Sequence, residues 1–228
     1  EELVGAKQNR VLNTSVLVAA RTKLKIPVSC VEQGRWGYKS RYFGSSGSHL
    51  PSKLRRVLKA TVSRSIKEER GHASNQGEVW KEVASLHATH GVASYTSAMS
   101  DAFETYRDRL AEFRERLKYV EGATGMAVGV GTKIVAADLF DKPSTCRKVW
   151  DRLLSGAVLD ALEAPEVDLR ASASDVEQML GLASDLRWEL TDAVGEGVEY
   201  RCESPQGDHA SALVFDDAVV HASLVAAV

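Results

Sequence analysis

The chain has 228 residues with a formal net charge of −2, and 44% of its residues are hydrophobic and 26% charged. These values are typical of a globular protein that is long enough to bury a sizeable core. No apolar run approaches the roughly 18 residues of a membrane-spanning helix, so we expect no membrane partner. The sequence predicts a single domain over residues 1–228, and its start at Glu1 without a methionine predicts a preceding N-terminal segment.

The charges are unevenly distributed along the chain. Residues 1–70 contain 15 Lys and Arg against 5 Asp and Glu, whereas residues 71–228 contain 14 against 26. A basic first third indicates an anionic partner, such as a nucleotide, a phosphate or a nucleic acid. The alternative is that the basic third packs against the acidic remainder.

The first predicted element is a β-hairpin made of two β-branched and aliphatic runs, residues 11–18 and 24–31. With a turn near Arg21, residues whose numbers sum to about 42–43 would lie opposite each other, so that Asn13 faces Ser29 or Cys30. The glycine-rich stretch 35–51 that follows is predicted to be a loop, long enough to act as a lid or a binding loop.

Helical periodicity and capping signals predict five helices, at residues 53–70, 75–90, 96–120, 143–162 and 174–185. The first carries a basic face, which is either solvated or a phosphate site. Along the third, apolar residues alternate at spacings of four and three, which is the pattern of a helix–helix seam. That seam predicts either a homodimer interface or packing within the chain.

The remaining elements are predicted strands. Residues 125–131 and 133–140 form a central hairpin, and their glycine spacing does not match a dinucleotide-binding fingerprint, so no cofactor is predicted. Short strands at the C-terminus form a meander, at residues 187–192, 198–203, 211–215 and 219–225. Hairpin connections predominate, which predicts an α+β fold with a mainly antiparallel sheet packed with about five helices.

Cysteines and histidines add little to the predicted chemistry. Cys30, Cys146 and Cys202 are an odd number without paired spacing, which favours reduced thiols in a cytoplasmic protein. His87 and His90 lie one helical turn apart, but no third ligand accompanies them, so no metal site is predicted. His221 is out of phase with the apolar positions of its strand and is predicted to face outward or into a cleft.

Polar side chains are concentrated at the open end of the predicted N-terminal hairpin, where two distant segments would meet. Holding such long side chains in place costs roughly 1–2 kcal/mol of rotamer entropy each, and a structural hairpin does not need them. We therefore predict a ligand site, with a buried polar network that braces the fold as the alternative. The predicted site consists of Lys7, Gln8, Asn9, Arg10, Asn13, Cys30, Glu32, Gln33, Arg35 and Trp36.

Each residue type has a chemical role in this prediction. The amides of Gln8, Asn9, Asn13 and Gln33 can read a sugar or an amide group, and Trp36 offers a stacking face. The cations that can hold phosphate or carboxylate are Lys7, Arg10 and Arg35. Glu32 is the candidate general acid or base. Cys30 is the candidate nucleophile, although its apolar neighbours favour a half-buried structural thiol.

Three sequence blocks resemble the signature segments of a known domain family. They are ELVGAKQNRVLNT at residues 2–14, IPVSCVEQGRW at residues 26–36 and QGEVW at residues 76–80. The family is prokaryotic and is named for its genomic association with ADP-ribosylglycohydrolases and rhodanese-type phosphatases. The likeness covers nearly the whole chain and implies a connection to NAD or ADP-ribose processing, without supplying a mechanism.

From these observations we expect a cytoplasmic domain that binds, and possesses residues able to hydrolyse, an ADP-ribose- or NAD-like phosphorylated nucleotide. The alternative is a non-catalytic interaction module that dimerises through the 96–120 helix. Nucleic acid is a weaker candidate partner, because no aromatic side chains interleave the basic residues of the 53–70 helix.

Overall fold

The strands form two antiparallel sheets, one of four strands and one of six, in a computed structural model that describes residues 1–164 and 170–227. Each sheet belongs to a different compact unit of the chain. Unit 1 comprises Glu1–Asn13, Pro27–Lys118 and Asp151–Glu163, and unit 2 comprises Thr14–Ile26, Tyr119–Trp150 and Ala164–Val228. The predicted α+β class with antiparallel sheets is confirmed.

Unit 1 contains the four-stranded sheet, whose spatial order is β3-β2-β1-β4. Its strands are β1 (Glu2–Gly5), β2 (Arg10–Leu12), β3 (Val28–Cys30) and β4 (Phe43–Ser45). The strands are short, and the chain between β2 and β3 does not form a tight turn. The residues between them, Thr14–Ile26, belong to unit 2.

The antiparallel pairing of β2 with β3 is confirmed, but the predicted register is wrong. Arg10 lies opposite Cys30 and Val11 opposite Ser29, so Asn13 does not face Cys30. The predicted long strands are also absent, because each strand has only three residues. A turn at Arg21 would have fixed the register, but the intervening segment leaves the sheet, so the turn has no influence on the pairing.

Four helices of unit 1 follow the sheet in the sequence: α1 (Ser52–Lys67), α2 (Gln76–His90), α3 (Met99–Thr105) and α4 (Arg107–Arg116). The first two confirm the predicted helices. The side chain of Asn75 caps α2 by accepting hydrogen bonds from the amides of Gly77 and Glu78.

The single helix predicted at 96–120 is wrong, because the chain breaks at Tyr106 into α3 and α4. Tyr106 has φ −102° and ψ 21°, outside the helical range. Its hydroxyl donates to the carbonyl oxygen of His90 at 2.9 Å, and its ring packs edge-on against the His90 ring. Met99, Phe103 and Leu110 of the predicted seam are buried within the chain.

Unit 2 contains the six-stranded sheet in the order β5-β6-β10-β9-β8-β7. The predicted central hairpin and the predicted meander are both confirmed, and pairing of β6 with β10 joins them into one sheet. The strands are β5 (Gly125–Val130), β6 (Lys133–Phe140), β7 (Glu189–Asp192), β8 (Val198–Glu203), β9 (His209–Phe215) and β10 (Ala218–Val225). The remaining helices are α5 (Pro143–Glu163), which contributes residues to both units, and α6 (Ala173–Asp185).

The two faces of the six-stranded sheet differ in chemistry. Alanine, cysteine and leucine side chains form an apolar cluster on one face, where α6 residues and Trp188 pack. The other face carries buried polar residues from neighbouring strands in one cross-strand row, namely Arg201, Ser211, Ser223 and Asp138. Strand β8 is therefore buried on both faces for part of its length, and the three cysteines are buried thiols that are not joined in disulfides.

Within residues 1–164 and 170–227, no helix has both the length and the apolar character needed to cross a membrane.

Candidate functional site

The centre of the predicted site in unit 1 is a two-point ion pair between Glu32 and Arg35. Arg35 Nε donates to Glu32 Oε1 and Arg35 Nη2 donates to Glu32 Oε2, both at 2.7 Å. This is the bidentate geometry in which a guanidinium and a carboxylate bind most strongly. The residue that carries the carboxylate is only 4% exposed.

The carboxylate of Glu32 accepts two further hydrogen bonds. The backbone N–H of Asn9 donates to Oε2 at 2.9 Å, and the hydroxyl of Thr96 donates to Oε1 at 3.0 Å. Burial alone would raise the pKa of Glu32, but the bonds from Arg35, Asn9 and Thr96 outweigh it and hold that pKa below its ordinary value. All four acceptor positions of the carboxylate are thus occupied by groups of the chain itself.

Arg35 is equally committed to neighbours within the chain. Its Nη1 donates to the carbonyl oxygens of Ala6 at 2.7 Å and Gly37 at 3.0 Å. Its Nη2 also approaches Asn9 Oδ1 at 3.1 Å and the carbonyl of Gly5 at 3.3 Å. All five N–H groups of the guanidinium therefore have acceptors, and the side chain ties the turn after β1 to the loop that follows it.

That loop, residues 36–43, is called the aromatic loop below, and it is docked on the turn at Gly5 and Ala6. Lys39 N donates to the Ala6 carbonyl at 2.9 Å, and Ala6 N donates to Ser40 Oγ at 3.2 Å. Gly5 has φ +129°, and a Cβ atom there would lie 2.5 Å from the carbonyl oxygen of Tyr42. Only glycine permits this close approach without strain.

The aromatic loop exposes a cluster of rings and cations to solvent. Trp36, Tyr38 and Tyr42 are 69%, 73% and 72% exposed, and Lys39 and Arg41 are exposed between them. Lys7 Nζ lies 5.1 Å from the centroid of the Tyr38 ring, and Arg41 Cζ lies 5.4 Å from that of Tyr42. These distances are within the range of cation–π attraction.

A second polar network holds Asn13 and Cys30 on the other side of β3. Asn13 Nδ2 donates to the carbonyl of His72 at 2.8 Å, and its Oδ1 accepts from the Ser29 hydroxyl. The amide of Gln76 pairs with the backbone of Cys30, accepting from its N–H at 2.8 Å and donating to its carbonyl at 2.7 Å. This pairing gives the 76–80 block a structural role.

The thiol of Cys30 is buried and donates to the carbonyl oxygen of Glu32 at 3.2 Å. No histidine contacts it in the residues that the structure describes. This environment is that of a structural thiol rather than of a nucleophile, since reactive thiols lie in partly exposed, electropositive surroundings.

The structure therefore divides the predicted site residues into four groups, the first of which is Asn13 and Cys30 with the neighbours just described. Asn9, Glu32 and Arg35 meet in one buried network, which Thr96 and Ser100 complete; Asn9 Nδ2 donates to Ser100 Oγ at 3.1 Å. Gln8 is buried and accepts a hydrogen bond from Arg10 Nη1 at 3.1 Å. The exposed group consists of Lys7, Gln33 and Trp36.

Sequence reasoning missed two parts of this site. Thr96 and Ser100 contact it across more than sixty positions of sequence, and no spacing pattern connects them with Glu32 or Asn9. The aromatic loop lies in the stretch 35–51, which is predicted to be a lid or binding loop, but only Trp36 is named in it as a ligand contact; the concentration of aromatic and basic residues was the signal for the others. Among the residues that the structure describes, no group of His, Cys, Asp and Glu could hold a metal ion.

Comparison with known proteins agrees with the three sequence blocks, which lie in these two networks. The family model of ARPP-1, the ARG and Rhodanese-Phosphatase-superfamily-associated Protein domain, matches residues 1–225. No curated protein and no solved structure matches the chain. The match covers almost the entire sequence and confirms the resemblance found in the three blocks. The chain belongs to the ARPP-1 domain family.

Proposed function

We propose that unit 1 binds an ADP-ribose- or NAD-like phosphorylated nucleotide on the aromatic loop. The observation that carries this proposal is the concentration of four exposed rings and two exposed cations, Lys39 and Arg41, in eight consecutive residues. Large aromatic side chains are seldom left in water in such density unless they contact a partner. Aromatic faces stack on nucleobases, and Lys and Arg neutralise phosphates.

The side chains suggest distinct roles in binding. Trp36, Tyr38 and Tyr42 would offer faces for the base, and each base–ring stack is worth about 1–3 kcal/mol. The charges of a diphosphate would be neutralised by Lys7, Lys39 and Arg41. Lys7 is already held beside the Tyr38 ring, so a base stacked there would place its phosphates near a cation.

Arg35 and Glu32 support binding by positioning the loop. The guanidinium holds the Ala6 and Gly37 carbonyls, and Glu32 fixes the guanidinium. Hydrolysis with Glu32 as general acid or base would require water or substrate to replace one of the four hydrogen bonds that its carboxylate accepts. Binding is therefore the part of the proposal that the exposed side chains support directly.

We also propose a cytoplasmic location. Its support is that Cys30, Cys146 and Cys202 are thiols not joined in disulfides, and such thiols persist in a reducing compartment.

Isothermal titration calorimetry with ADP-ribose and NAD tests nucleotide binding. We expect measurable heat for the unmodified chain and a dissociation constant raised on the order of tenfold in Trp36→Ala, from the loss of one stack. Lys39→Ala should weaken ADP-ribose more than adenosine, because only the former carries phosphates.

Two control variants belong to the same experiment. Phe215→Ala removes a partly exposed ring from unit 2, and Arg56→Ala removes a cation from the basic face of α1. Both should leave the dissociation constant unchanged. Absence of heat with both ligands, or equal weakening by the control and loop variants, would contradict the proposal.

Single-stranded nucleic acid is the second candidate ligand, because exposed rings beside exposed cations are typical of surfaces that bind it. An oligonucleotide titration at several salt concentrations distinguishes the two candidates. Affinity for the oligonucleotide that falls steeply with salt, without heat from ADP-ribose, would favour nucleic acid.

A further inference from the structure

A serine, a histidine and an aspartate are connected by hydrogen bonds within unit 2. Ser15 Oγ lies 2.6 Å from His221 Nδ1, and His221 Nε2 lies 3.1 Å from Asp138 Oδ1. The serine and the histidine are 206 positions apart in sequence, and the histidine and the aspartate are 83 apart. This order of groups is that of an activated nucleophile, its base and an orienting carboxylate.

The carboxylate determines which ring nitrogen carries the proton. An ionised Asp138 can only accept hydrogen bonds, so it selects the tautomer of neutral His221 with the proton on Nε2. The lone pair of Nδ1 then faces the serine, and the Ser15 hydroxyl donates to it. The imidazole is thus poised to remove the proton of the hydroxyl when that oxygen attacks an electrophile.

The sheet holds the imidazole ring in a fixed orientation. His221 lies opposite Phe140 in the pairing of β10 with β6, and the two rings stack with centroids 4.6 Å apart and planes 3° apart. A register shift between Val219 and His221 interrupts the pairing of β10 with β9. Such bulges redirect side chains and are frequent beside active sites.

A buried ion pair fixes the backbone next to the serine. Thr14 Oγ1 donates to Glu199 Oε1 at 2.7 Å and accepts from Arg201 Nη2 at 3.3 Å. Glu199 and Arg201 are themselves paired at 2.8 Å, with both side chains almost fully buried. Two residues after Ser15, the carbonyl oxygen of Leu17 accepts a hydrogen bond from the backbone N–H of Glu196 at 2.9 Å.

These contacts also explain why the burial of β8 does not follow its apolar positions. Cys202 is buried, but the charged residues Glu199 and Arg201 are buried as well, whereas Val198 is exposed. The two charged residues are retained inside because they bind each other and Thr14, which satisfies groups that would otherwise be costly to bury.

The site is accessible where chemistry requires it. Ser15 is half-buried, the side chain of His221 is 21% exposed, and Asp138 is buried. Within the described part of the chain, the amides of Ser15 and Val16 donate to no acceptor. Backbone N–H groups at the nucleophile and at the residue after it are the usual donors to a developing oxyanion.

We propose that Ser15 is the nucleophile and His221 the general base of a second site that cleaves carboxylic esters, with Asp138 as a positioning residue. Ser15 Oγ forms a bond to the carbonyl carbon while its proton passes to His221 Nδ1. The bond from that carbon to the alcohol oxygen then breaks, and the proton moves from Nδ1 to the leaving oxygen. Water repeats the sequence on the acylated serine, which releases the carboxylic acid and restores the Ser15 hydroxyl.

An ester is the substrate class that this set of groups suits best. The leaving group is an alcohol, which one imidazole can protonate, and an alkoxide departs more readily than an amine anion. The proposal does not depend on nucleotide binding by unit 1, because it uses other residues and other chemistry.

Covalent labelling with a fluorophosphonate probe tests the nucleophile, with the modified peptide identified by mass spectrometry. We expect one label on Ser15, no label at that peptide in Ser15→Ala, and labelling slowed at least a hundredfold in His221→Gln. Hydrolysis of p-nitrophenyl acetate should fall in parallel. Ser184→Ala is the matched control, because Ser184 is an exposed serine of α6 whose hydroxyl donates to the Gly181 carbonyl of the same helix.

Circular dichroism of each variant establishes that it is folded. A folded unmodified chain without label on Ser15 would overturn the proposal, as would an unchanged labelling rate in folded His221→Gln. If His221→Gln does not fold, two other results still decide whether Ser15 is the nucleophile. They are the labelling of Ser15→Ala compared with Ser184→Ala, and the tautomer of His221 in the unmodified chain.

The role of Asp138 is tested by the tautomer of His221, which nitrogen-15 NMR of the histidine-labelled chain reads directly. We expect the proton of neutral His221 on Nε2 in the unmodified chain. Asp138→Asn should shift it toward Nδ1 and slow labelling at least tenfold, an effect that a merely structural role would not produce. A proton on Nδ1 in the unmodified chain would overturn the proposal, because Ser15 could not then donate to it.

Discussion

Glu32 and Arg35 bind each other through two parallel hydrogen bonds of 2.7 Å, three residues apart in the chain. The pair lies where β3 ends and the aromatic loop begins. Every remaining hydrogen-bonding position on both side chains is used by the backbone or by Asn9 and Thr96. The pair therefore holds the aromatic loop in position, because Glu32 fixes Arg35 and Arg35 binds the carbonyls of Ala6 and Gly37. These hydrogen bonds offset the cost of burying the Glu32 carboxylate.

Removal of Arg35 should destabilise the protein substantially. Arg35→Ala leaves the buried Glu32 carboxylate without its counter-ion, a change that typically costs about 3–5 kcal/mol. It also releases the carbonyls of Ala6 and Gly37, so we expect weaker binding of ADP-ribose. Urea unfolding followed by circular dichroism measures the first effect and calorimetry the second.

The matched control is Arg107→Ala, which removes an arginine paired with Glu104 at the surface. Exposed pairs contribute less than about 1 kcal/mol, so this variant should unfold at nearly the same urea concentration as the unmodified chain. Equal destabilisation by the two variants would show that the Glu32–Arg35 pair is not a support.

Glu2 should make stability depend on pH. Burial raises the pKa of this β1 carboxyl to about 7. Between the ordinary glutamate value of 4.5 and about 7, the folded chain keeps a proton that the unfolded chain has lost. Stability therefore falls as pH rises through this window, by on the order of 3 kcal/mol for a shift of this size.

Glu2→Gln removes this titration. The free energy of unfolding of the variant, relative to that of the unmodified chain, should increase from pH 5 to pH 8 by on the order of 3 kcal/mol. Urea titrations of both chains at the two pH values give the comparison. A constant difference between them would mean that Glu2 titrates normally in the folded state.

Gly5 should resist substitution because of its backbone conformation and its contact with the aromatic loop. In Gly5→Ala, the methyl group would meet the Tyr42 carbonyl at 2.5 Å at a φ of +129°. Strain of this kind costs about 1–3 kcal/mol, and its relief requires the loop to move. We expect lower stability in urea and weaker ADP-ribose binding in the same variant.

Gly44→Ala provides the control, because it lies on the neighbouring strand β4 with open space around its Cα atom. That substitution should leave nucleotide affinity unchanged. If both alanine variants bind ADP-ribose as the unmodified chain does, the docking of the loop on Gly5 is not needed for binding.

The chain should be monomeric in multi-angle light scattering at micromolar concentration. The seam predicted along 96–120 is already buried at Met99, Phe103 and Leu110, which leaves Leu117 and Val120 exposed. Two exposed residues are too few for the area of a stable dimer interface. A dimer that Leu117→Glu dissociates would instead support the interaction-module alternative; Phe103→Glu is unsuitable for this test because Phe103 is buried.

The sequence predicted best the elements whose signals are local. Asn75 predicts the start of α2, because its side chain accepts hydrogen bonds from the backbone N–H groups of Gly77 and Glu78. The apolar residues of α1 repeat at helical spacing. The strands of the central hairpin and the meander are marked by alternation and by turn residues. The three sequence blocks that resemble the family could be recognised because each is a continuous run of residues.

Non-local relationships could not be predicted in the same way. The apolar residues around Leu17 have strand propensity, yet they pair only through a single bridge to Gly195, so the predicted hairpin arm is absent. Tyr106 interrupts a periodic helix because it bonds His90 in another element. Ser15, His221 and Asp138 meet only because the sheet brings distant strands and the 14–26 segment together.

Thr14–Ile26 belongs to unit 2 but lies between two stretches of unit 1, which limits how the two units can be exchanged between genes. Neither unit is encoded by a continuous stretch of the gene, so no single recombination point can transfer one without damaging the other. A fusion or exchange event would have to carry both together. The match of one family model across residues 1–225 is the pattern that such joint transmission would leave.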